Sequence, residues 1–315
     1  MDGPHKKECQ GHYKQEVIDM TQLHPIAKLE KLLLSTDGSE FSEGAVREAV
    51  KLAKIGSSKL FVLSVIETNP EFEVLAPQIV EKEEEQTRDR LEQVKSKAAK
   101  EGVECEIIAR HTESPFQAII EEAQKKQADM IIMGRRGRTG IRRLLMGSVT
   151  AKVIGYSPCN VLVVPRLAEI RYEKILVATD GSKYSVAAAS EAIGIAKRCG
   201  GELFIISVVP TETASPFDIV HSEMQHEMIA QKEFRDGEKN VNDLLVIARQ
   251  EGVKVEGHII QGRPYDVIVE TSREKGVDLI VMGSHGRTGM ERLLMGSVTE
   301  RVVGNADCSV LVVKT

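Results

Sequence analysis

Short apolar segments rich in β-branched residues alternate along the chain with longer segments in which apolar residues recur every three or four positions. The short segments predict buried strands and the longer ones predict amphipathic helices. Strands that alternate with helices are typical of βαβ units, whose strands form a parallel sheet that is covered by helices on both faces. The pattern therefore predicts an α/β protein.

The pattern occurs twice. Residues Gly134–Val164 match Gly283–Val313 at 20 of 31 positions without a gap, at a shift of 149. The earlier segment LLLSTDGS, Leu32–Ser39, aligns with ILVATDGS, Ile175–Ser182, at a shift of 143. Copy two therefore has six more residues than copy one between these two aligned segments. We expect those residues around Pro210–Gln231. A repeat of this length is too long for a solenoid and predicts two tandem domains.

Each copy is predicted to contain five strands. They are expected at Lys31–Thr36, Lys59–Ile66, Glu104–Ala109, Met130–Gly134 and Asn160–Val164 in copy one, and at Lys174–Thr179, Glu202–Val209, Lys254–Ile260, Leu279–Gly283 and Ser309–Val313 in copy two. Helices are expected at Ser42–Lys54, Glu81–Gly102, Phe116–Lys126, Tyr184–Arg198 and Tyr265–Lys275, and after Gly147 and Gly296. The predicted division is an N-terminal extension, 1–28, followed by domains at 29–168 and 169–315.

Composition narrows the class of function. The chain has 42 Lys and Arg against 47 Asp and Glu, and only 4% aromatic residues, which argues against nucleic-acid binding. No apolar run approaches the ~20 residues that a membrane helix needs, and the first 25 residues lack the apolar core of a signal peptide. We therefore expect a cytoplasmic protein. Five cysteines without a CxxC pair argue against a disulfide framework or a zinc ribbon.

An acidic turn follows the first strand of each copy. Its sequence is Thr36-Asp37-Gly38-Ser39 in copy one and Thr179-Asp180-Gly181-Ser182 in copy two. In an open α/β sheet, ligands bind beyond the carboxyl ends of the strands at the point where the winding reverses, and the first strand ends there. The alternative is a purely structural turn and helix cap, which Asp, Gly and Ser also favour.

A glycine-rich segment follows the fourth strand of each copy. Residues 134–148 have the sequence GRRGRTGIRRLLMGS and residues 283–297 the sequence GSHGRTGMERLLMGS. The shared spacing G-x2-G-x9-G-S lets backbone N–H groups approach a ligand without a Cβ in the way, and the last glycine opens a helix whose N-terminus favours anions. In copy two, Ser297-Val298-Thr299-Glu300 also fits a capping box, which is the structural alternative for this serine.

These motifs, with the flanking segments VATDGS, LLMGSV and CSVLVV, resemble the universal stress protein family over nearly the whole chain from residue 29 onward. The arrangement is similar to that of tandem members. The resemblance implies two Rossmann-like domains, each a five-stranded parallel sheet of order 3-2-1-4-5 flanked by helices, with an adenine nucleotide across the ends of strands one and four. It also implies that the terminal strands, Val161–Val164 and Val310–Val313, pair within the chain.

The resemblance further implies which residues contact the nucleotide. In copy one they are Thr36, Asp37, Val65, Met133, Gly134, Gly137, Arg138, Gly147, Ser148 and Val149; in copy two they are Thr179, Asp180, Val208, Met282, Gly283, Gly286, Arg287, Gly296, Ser297 and Val298. The aspartates would lie near the adenosine or a phosphate-bound Mg²⁺, the valines and methionines beside adenosine, and the glycines and serines around ribose and phosphates. The arginines would neutralise phosphate charge. The methionines fit strand core equally well, and the arginines fit solvated loop positions.

Copy one departs from the common pattern at two positions. It has Arg135-Arg136 where copy two has Ser284-His285. Two added cations are predicted to alter the affinity for phosphates or their orientation, so we expect the two sites to be non-equivalent.

The resemblance implies an ATP-binding module that changes its protein partner or assembly with its nucleotide state, with Mg²⁺ as the accompanying ion. The chain has no GxxxxGK[ST] loop and no kinase-type motif set, which argues against rapid phosphoryl transfer. A slow Mg²⁺-dependent ATPase or phosphotransferase and a nucleotide-free interaction scaffold remain alternatives. No residue is assigned a catalytic role, the protein partner is not identified by the sequence, and a homodimer is compatible with it.

Overall fold

Ten apolar segments form strands and nine further segments form helices in the computed structural model, which describes residues 29–137, 146–210, 223–287 and 295–315. The strands are β1 Lys31–Ser35, β2 Lys59–Glu67, β3 Cys105–Thr112, β4 Met130–Gly134, β5 Asn160–Val164, β6 Lys174–Ala178, β7 Glu202–Pro210, β8 Lys254–Gly262, β9 Leu279–Gly283 and β10 Ser309–Val313. The helices are α1 Glu43–Gly56, α2 Pro70–Leu75, α3 Pro77–Lys100, α4 Pro115–Lys126, α5 Ser148–Tyr156, α6 Lys183–Cys199, α7 Glu223–Gln250, α8 Pro264–Lys275 and α9 Ser297–Asn305.

All ten strands belong to one sheet, in the order β3-β2-β1-β4-β5-β10-β9-β6-β7-β8. Within each half the strands are parallel and follow the order 3-2-1-4-5. The predicted fold class, two tandem α/β units with a five-stranded parallel sheet each, is confirmed.

The two halves meet at their terminal strands. β5 and β10 are antiparallel, and Leu162 lies opposite Leu311 at the centre of the pair. An exposed apolar edge strand invites pairing with another chain, and here each terminal strand covers the edge of the other. Because this one pair is antiparallel while the rest are parallel, the carboxyl ends of the strands in copy one and copy two lie at opposite edges of the sheet.

The sheet has a hydrophobic core on each face. Successive strand residues point to opposite faces, so the fully buried Leu32 and Leu34 of β1 pack with α1 and α3, whereas Leu33 packs with α4 and α5. In copy two, α6 and α7 cover the first face and α8 and α9 the second. Strands that are buried on both faces explain why the sequence shows continuous apolar runs.

The structure differs from the predicted elements in a few places. α1 begins at Glu43 because residues Glu40–Ser42 form a short 3₁₀ turn. An additional helix, α2, begins after Asn69, whose Oδ1 accepts a hydrogen bond from the Phe72 amide at 2.7 Å. The long helix α7 was not among the predicted elements. Residues 1–28, and residues 211–222 within the segment expected to hold the extra residues, lie outside the described ranges.

Within those ranges, no helix combines the length and the apolar content needed to cross a membrane.

Candidate functional site

Each half of the sheet reverses its winding beside its first strand. β1 has β2 on one side and β4 on the other, and β6 is flanked in the same way by β7 and β9. After β1 and β4 the chain turns to opposite faces of the sheet, and it does the same after β6 and β9. A crevice therefore opens between the carboxyl ends of each pair of strands. A cavity of about 460 Å³ occupies this position in copy one, and one of about 270 Å³ occupies it in copy two.

The structure brings the predicted site residues of each copy together around its cavity. The cavity of copy one is lined by Thr36, Asp37, Val65, Met133, Gly134, Gly137, Gly147, Ser148 and Val149. The cavity of copy two is lined by Thr179, Asp180, Val208, Met282, Gly283, Gly286, Arg287, Gly296, Ser297 and Val298. Arg138 lies outside the described residues. The two sequence motifs of each copy therefore form one pocket, although they are about a hundred residues apart in the chain.

Asp180 joins the two motifs of copy two. Its Oδ1 accepts a hydrogen bond from the Ser182 amide at 3.0 Å, and its Oδ2 accepts one from the Arg287 amide at 2.9 Å. Burial opposes ionisation of this carboxyl, but hydrogen bonding from the hydroxyl and amide of Ser182, the hydroxyl of Ser185 and the amide of Arg287 outweighs the burial and holds the pKa of Asp180 below its usual value. The carboxylate is therefore charged at neutral pH and keeps the glycine loop against the turn that follows β6.

Asp37 occupies the same place in copy one. Its Oδ1 accepts hydrogen bonds from the amide and the hydroxyl of Ser39, at 3.0 and 2.7 Å. A Cβ at Gly137 would lie 2.9 Å from its Oδ2, and a Cβ at Gly286 would lie 2.8 Å from Oδ2 of Asp180. The glycine at this position is therefore required by the close approach of the loop to the carboxylate.

A buried threonine fixes the start of each glycine loop. The hydroxyl of Thr150 donates to the Gly134 carbonyl at 3.1 Å, and the hydroxyl of Thr299 donates to the Gly283 carbonyl at 2.9 Å. Both side chains are almost fully buried. Sequence reasoning missed this pair of threonines. A signal for it was present in the sequence, since GSVT occurs in both copies.

A backbone hydrogen bond also joins the beginning and the end of each glycine loop. The Gly147 amide donates to the Arg135 carbonyl, and the Gly296 amide donates to the Ser284 carbonyl, both at 2.9 Å. These bonds bring the first and last residues of the motif together although about ten residues separate them. The closed loop places the N-terminus of α5 or α9 at the wall of the cavity.

Gly147 and Gly296 are the N-cap residues of α5 and α9. Because glycine has no side chain, the N-cap residue gives no side-chain hydrogen bond to the first amides of either helix. The capping box expected from Ser297 to Glu300 is wrong, because Gly296 takes the cap position in extended backbone and Ser297 becomes the first helical residue. N–H groups left unpaired at a helix N-terminus are suited to bind an anion.

The glycines of the motif serve two different purposes. A Cβ at Gly283 would lie 2.7 Å from the backbone of Tyr184, and one at Gly134 would lie 2.9 Å from the Phe41 carbonyl oxygen, so packing excludes a side chain at both positions. At Gly147 and Gly296, in contrast, the nearest atoms are 3.5 and 3.4 Å away, and φ is −71° and −66°. The fold itself accepts a side chain at Gly147 and needs only slight adjustment at Gly296.

The two pockets differ in the side chains around the loop. In copy two, Oγ of Ser284 lies 3.1 Å from Nδ1 of His285, and the His285 ring lies against Tyr184, with 5.3 Å between ring centroids. In copy one, Arg136 lines the cavity in place of the histidine. The neighbouring cation, Arg135, was expected to act on phosphates, but its Nη1 donates to the carbonyl of Ala306 in copy two at 2.7 Å.

Arg287 was predicted to neutralise phosphate charge, and the structure gives its guanidinium a protein partner. Nη1 and Nη2 lie 3.4 and 3.3 Å from the two carboxylate oxygens of Glu233 on α7. The pocket of copy one has additional walls from α2 and α3, which contribute Phe72 and Ile79. Sequence reasoning missed Phe72 because α2 was not predicted, and it missed Ile79 because the helix that became α3 was expected to begin at Glu81 and not at Pro77.

Across the described residues, no group of three or more His, Cys, Asp or Glu side chains is arranged to hold a metal ion. Each pocket nevertheless has one aspartate at its wall. Mg²⁺ is commonly held by one or two carboxylates together with the phosphates of a substrate, so a single carboxylate fits an ion that arrives with a nucleotide.

The doubly wound sheet and the two glycine-lined crevices define a tandem α/β protein. Each copy has one pocket at the position where proteins of this fold class bind ligands. The chain matches the universal stress protein family twice, over residues 28–165 and 171–314. It belongs to that family.

The chain is similar to individual proteins of this family. A universal stress protein of Methanocaldococcus jannaschii is 43% identical over 149 residues, which are 47% of this chain and 86% of that protein. The crystal structure of a universal stress protein from Archaeoglobus fulgidus is 25% identical, with a TM-score of 0.68 over 91% of this chain and 99% of that one. A universal stress protein solved in complex with cAMP is 24% identical, with a TM-score of 0.36 over 45% of this chain and 97% of that one.

Proposed function

We propose that the protein binds an adenine nucleotide, ATP with Mg²⁺, in each of its two pockets, and that the bound nucleotide governs its association with a protein partner in the stress response. The proposal assigns binding and regulation to the chain and gives no residue a catalytic role. The alternative that it opposes is an interaction scaffold that works without nucleotide.

The glycines at the two helix N-termini carry the proposal. Neither Gly147 nor Gly296 needs glycine for its backbone angles, and neither is enclosed by protein atoms that would forbid a Cβ. Each lies at the wall of a cavity, next to helix amides that receive no side-chain cap from the N-cap position. A bulky anion that contacts the backbone directly explains why a side chain is absent at both positions.

The remaining pocket residues fit the rest of the ligand. In copy two, the amides of Ser297 and Val298 would donate to phosphate oxygens, and Val208 and Met282 would offer apolar contact to adenosine. Thr179 and Asp180 would lie toward the ribose or Mg²⁺. Copy one would use Ser148 and Val149 for the phosphates and Val65 and Met133 for adenosine in the same way, with Thr36 and Asp37 in the corresponding positions.

Retained ligand provides the first test. Mass spectrometry of the small molecules released when freshly purified protein is denatured should detect ATP or another adenine nucleotide. Titration calorimetry with ATP and Mg²⁺ should then show binding that Gly147→Ala weakens at the copy-one site and Gly296→Ala at the copy-two site, each by about tenfold or more, or ~1.4 kcal/mol. The double variant should lose both components.

Gly102→Ala is the matched control. Gly102 has φ +74° at the end of α3 and open space around a Cβ, so this change strains the backbone far from both pockets. Gly102→Ala should lower the urea midpoint and leave ATP binding intact. Gly147→Ala should leave the urea midpoint nearly unchanged and weaken ATP binding. Absence of ATP binding by the wild-type protein, or unchanged binding in the double variant, would refute the proposal.

A further inference from the structure

The helix that forms the phosphate side of each pocket ends against a cation from the other copy. Nζ of Lys314, the residue after β10, donates to the carbonyls of Ile154 and Gly155 in the last turn of α5, at 3.0 Å each. Nη1 of Arg135, the residue after β4, donates to the carbonyl of Ala306 at the end of α9, at 2.7 Å. The contact is therefore reciprocal between the copies.

The antiparallel pairing of β5 and β10 produces this arrangement. The carboxyl end of the strands in one copy lies at the same edge of the sheet as the amino end in the other. α5 and α9 each run from the carboxyl edge of their own copy toward its amino edge. Their C-termini therefore meet the loops that leave the carboxyl edge of the partner copy, where Lys314 and Arg135 lie.

The two cations do not occupy equivalent positions in the repeat. At the shift of 149 that aligns the copies here, Lys314 corresponds to Pro165 and Arg135 to Ser284. Proline has no cationic side chain, and the Ser284 side chain is 2% exposed and lies against His285. The accepting carbonyls differ as well, because Ala306 corresponds to Ser157 and not to Ile154 or Gly155. A cation therefore reaches the C-terminus of each helix from an unrelated position, so the repeat alone does not explain why both helices have one.

Both cations are partly removed from water. Burial lowers the pKa of Lys314, and burial together with the neighbouring Arg136 lowers the pKa of Arg135. A buried cation is costly unless it is well hydrogen-bonded, and here each finds the carbonyl oxygens that a helix leaves unpaired at its C-terminus. The backbone of Lys314 is also fixed, because its amide donates to Oδ1 of Asn160 at 3.0 Å.

We propose that Lys314 and Arg135 are positioning residues through which each copy strengthens phosphate binding at the pocket of the other. This inference rests on the proposed function. A cation at the C-terminus complements the helix dipole at the end opposite to a bound phosphate, and it holds a helix of only nine residues in place. Lys314 acts on the pocket of copy one through α5, and Arg135 acts on that of copy two through α9.

Arg135 also belongs to the glycine loop of copy one. Its carbonyl accepts the Gly147 amide at 2.9 Å while its side chain reaches Ala306. A phosphate bound at the N-terminus of α5 holds Gly147 and, through this hydrogen bond, the backbone of Arg135, so occupation of the first pocket raises the affinity of the second. Linkage requires the second pocket to have the same effect on the first.

The test measures each pocket with the other one disabled. In a Gly296→Ala background, Lys314→Met should weaken ATP binding at the copy-one site about three- to tenfold, and Lys314→Arg should restore most of the loss. In a Gly147→Ala background, Arg135→Ser, which introduces the residue of copy two, should weaken the copy-two site by a similar factor. Lys314→Met should leave the copy-two site unchanged.

Lys174→Met is the matched control. Nζ of Lys174 donates to the carbonyl of Lys275 at the end of α8, a helix that contributes no residue to the copy-one pocket, although Pro264 and Ile268 line that of copy two. In the Gly296→Ala background, removing it deletes a lysine cap of the same kind and should leave ATP affinity at the copy-one site unchanged. An equal loss in Lys174→Met and Lys314→Met would overturn the inference, because it would indicate general loosening of the fold.

The two proposals fail in different ways. If the wild-type protein binds no ATP, the proposed function is wrong and the inference falls with it. If the wild type binds ATP and Lys314→Met leaves the copy-one affinity unchanged, the inference alone is wrong. Amide hydrogen exchange gives an independent readout, since Lys314→Met should speed exchange in α5 and leave α9 as it was.

Discussion

The backbone amide of Arg287 lies 2.9 Å from Oδ2 of Asp180 and donates a hydrogen bond to it. This bond joins the glycine loop after β9 to the turn after β6, two segments that are far apart in the chain. The acidic turn and the glycine loop are therefore one structural unit, and the carboxylate holds the loop in the form that exposes the N-terminus of α9.

Asp180→Asn should lower the free energy of unfolding at pH 7 by about 1–3 kcal/mol, because the amide side chain cannot accept both backbone hydrogen bonds as a carboxylate does. The pKa of Asp180 is lower in the folded state, so its contribution is complete above the unfolded pKa of about 3.9 and is lost as the pH falls through the folded pKa. Urea denaturation from pH 7 to pH 2.5 should show the two proteins converging below about pH 4. A constant difference down to pH 2.5 would contradict the assignment.

Gly283→Ala should destabilise the protein by about 1–3 kcal/mol, because the new methyl group would lie 2.7 Å from the Tyr184 backbone. The methyl group of Gly296→Ala would lie 3.4 Å from the nearest described atom outside the adjacent residues, so this change should alter stability by less than about 0.5 kcal/mol. Thermal unfolding of both variants without nucleotide separates the glycine required by packing from the one that the proposed function assigns to the ligand. Equal midpoints for the two variants would show that this division is wrong.

Thr299→Val should cost about 1–3 kcal/mol, since it leaves the buried Gly283 carbonyl without its 2.9 Å hydrogen bond while keeping the side-chain volume. Thr299→Ser keeps the hydroxyl and should recover much of that loss. Chemical denaturation measures both changes. If valine and serine variants are equally stable, the hydroxyl does not support the loop as described.

Arg136→His replaces the cation beside the first pocket with the residue of copy two. Because salt screens a charged contact with phosphate, ATP binding at the copy-one site should weaken with rising salt more steeply in the wild type than in the variant. Calorimetry in the Gly296→Ala background at two salt concentrations measures this slope. The wild-type protein itself should show two binding components of unequal affinity, and a single component of two identical sites would contradict the predicted non-equivalence.

The central part of the fold could be predicted from the sequence because its strands are buried on both faces. Leu32, Leu33 and Leu34 point alternately to opposite faces yet are all fully buried, so the strand shows as an uninterrupted apolar run. The doubled glycine motif identified the residues around each pocket. Their roles toward a nucleotide remain predictions.

The parts that sequence reasoning missed depend on contacts between distant segments. α2 has no buried residue and depends on the Asn69 cap and Pro70, so it has no apolar pattern to reveal it. Arg135 was expected to face phosphates because it lies in the loop, but the partner that holds its guanidinium, Ala306, is 171 residues away. Only the pairing of β5 with β10 brings the two together.

That same pairing determines how the molecule can meet other molecules. The carboxyl ends of the two half-sheets point in opposite directions, so the two pockets open on opposite sides of the molecule. One short bidentate ligand cannot bridge them. Under the proposed function, two separate partners could dock at the same time, one at each pocket, and the row of hydrogen-bonded strands between the pockets would set their distance and their relative orientation.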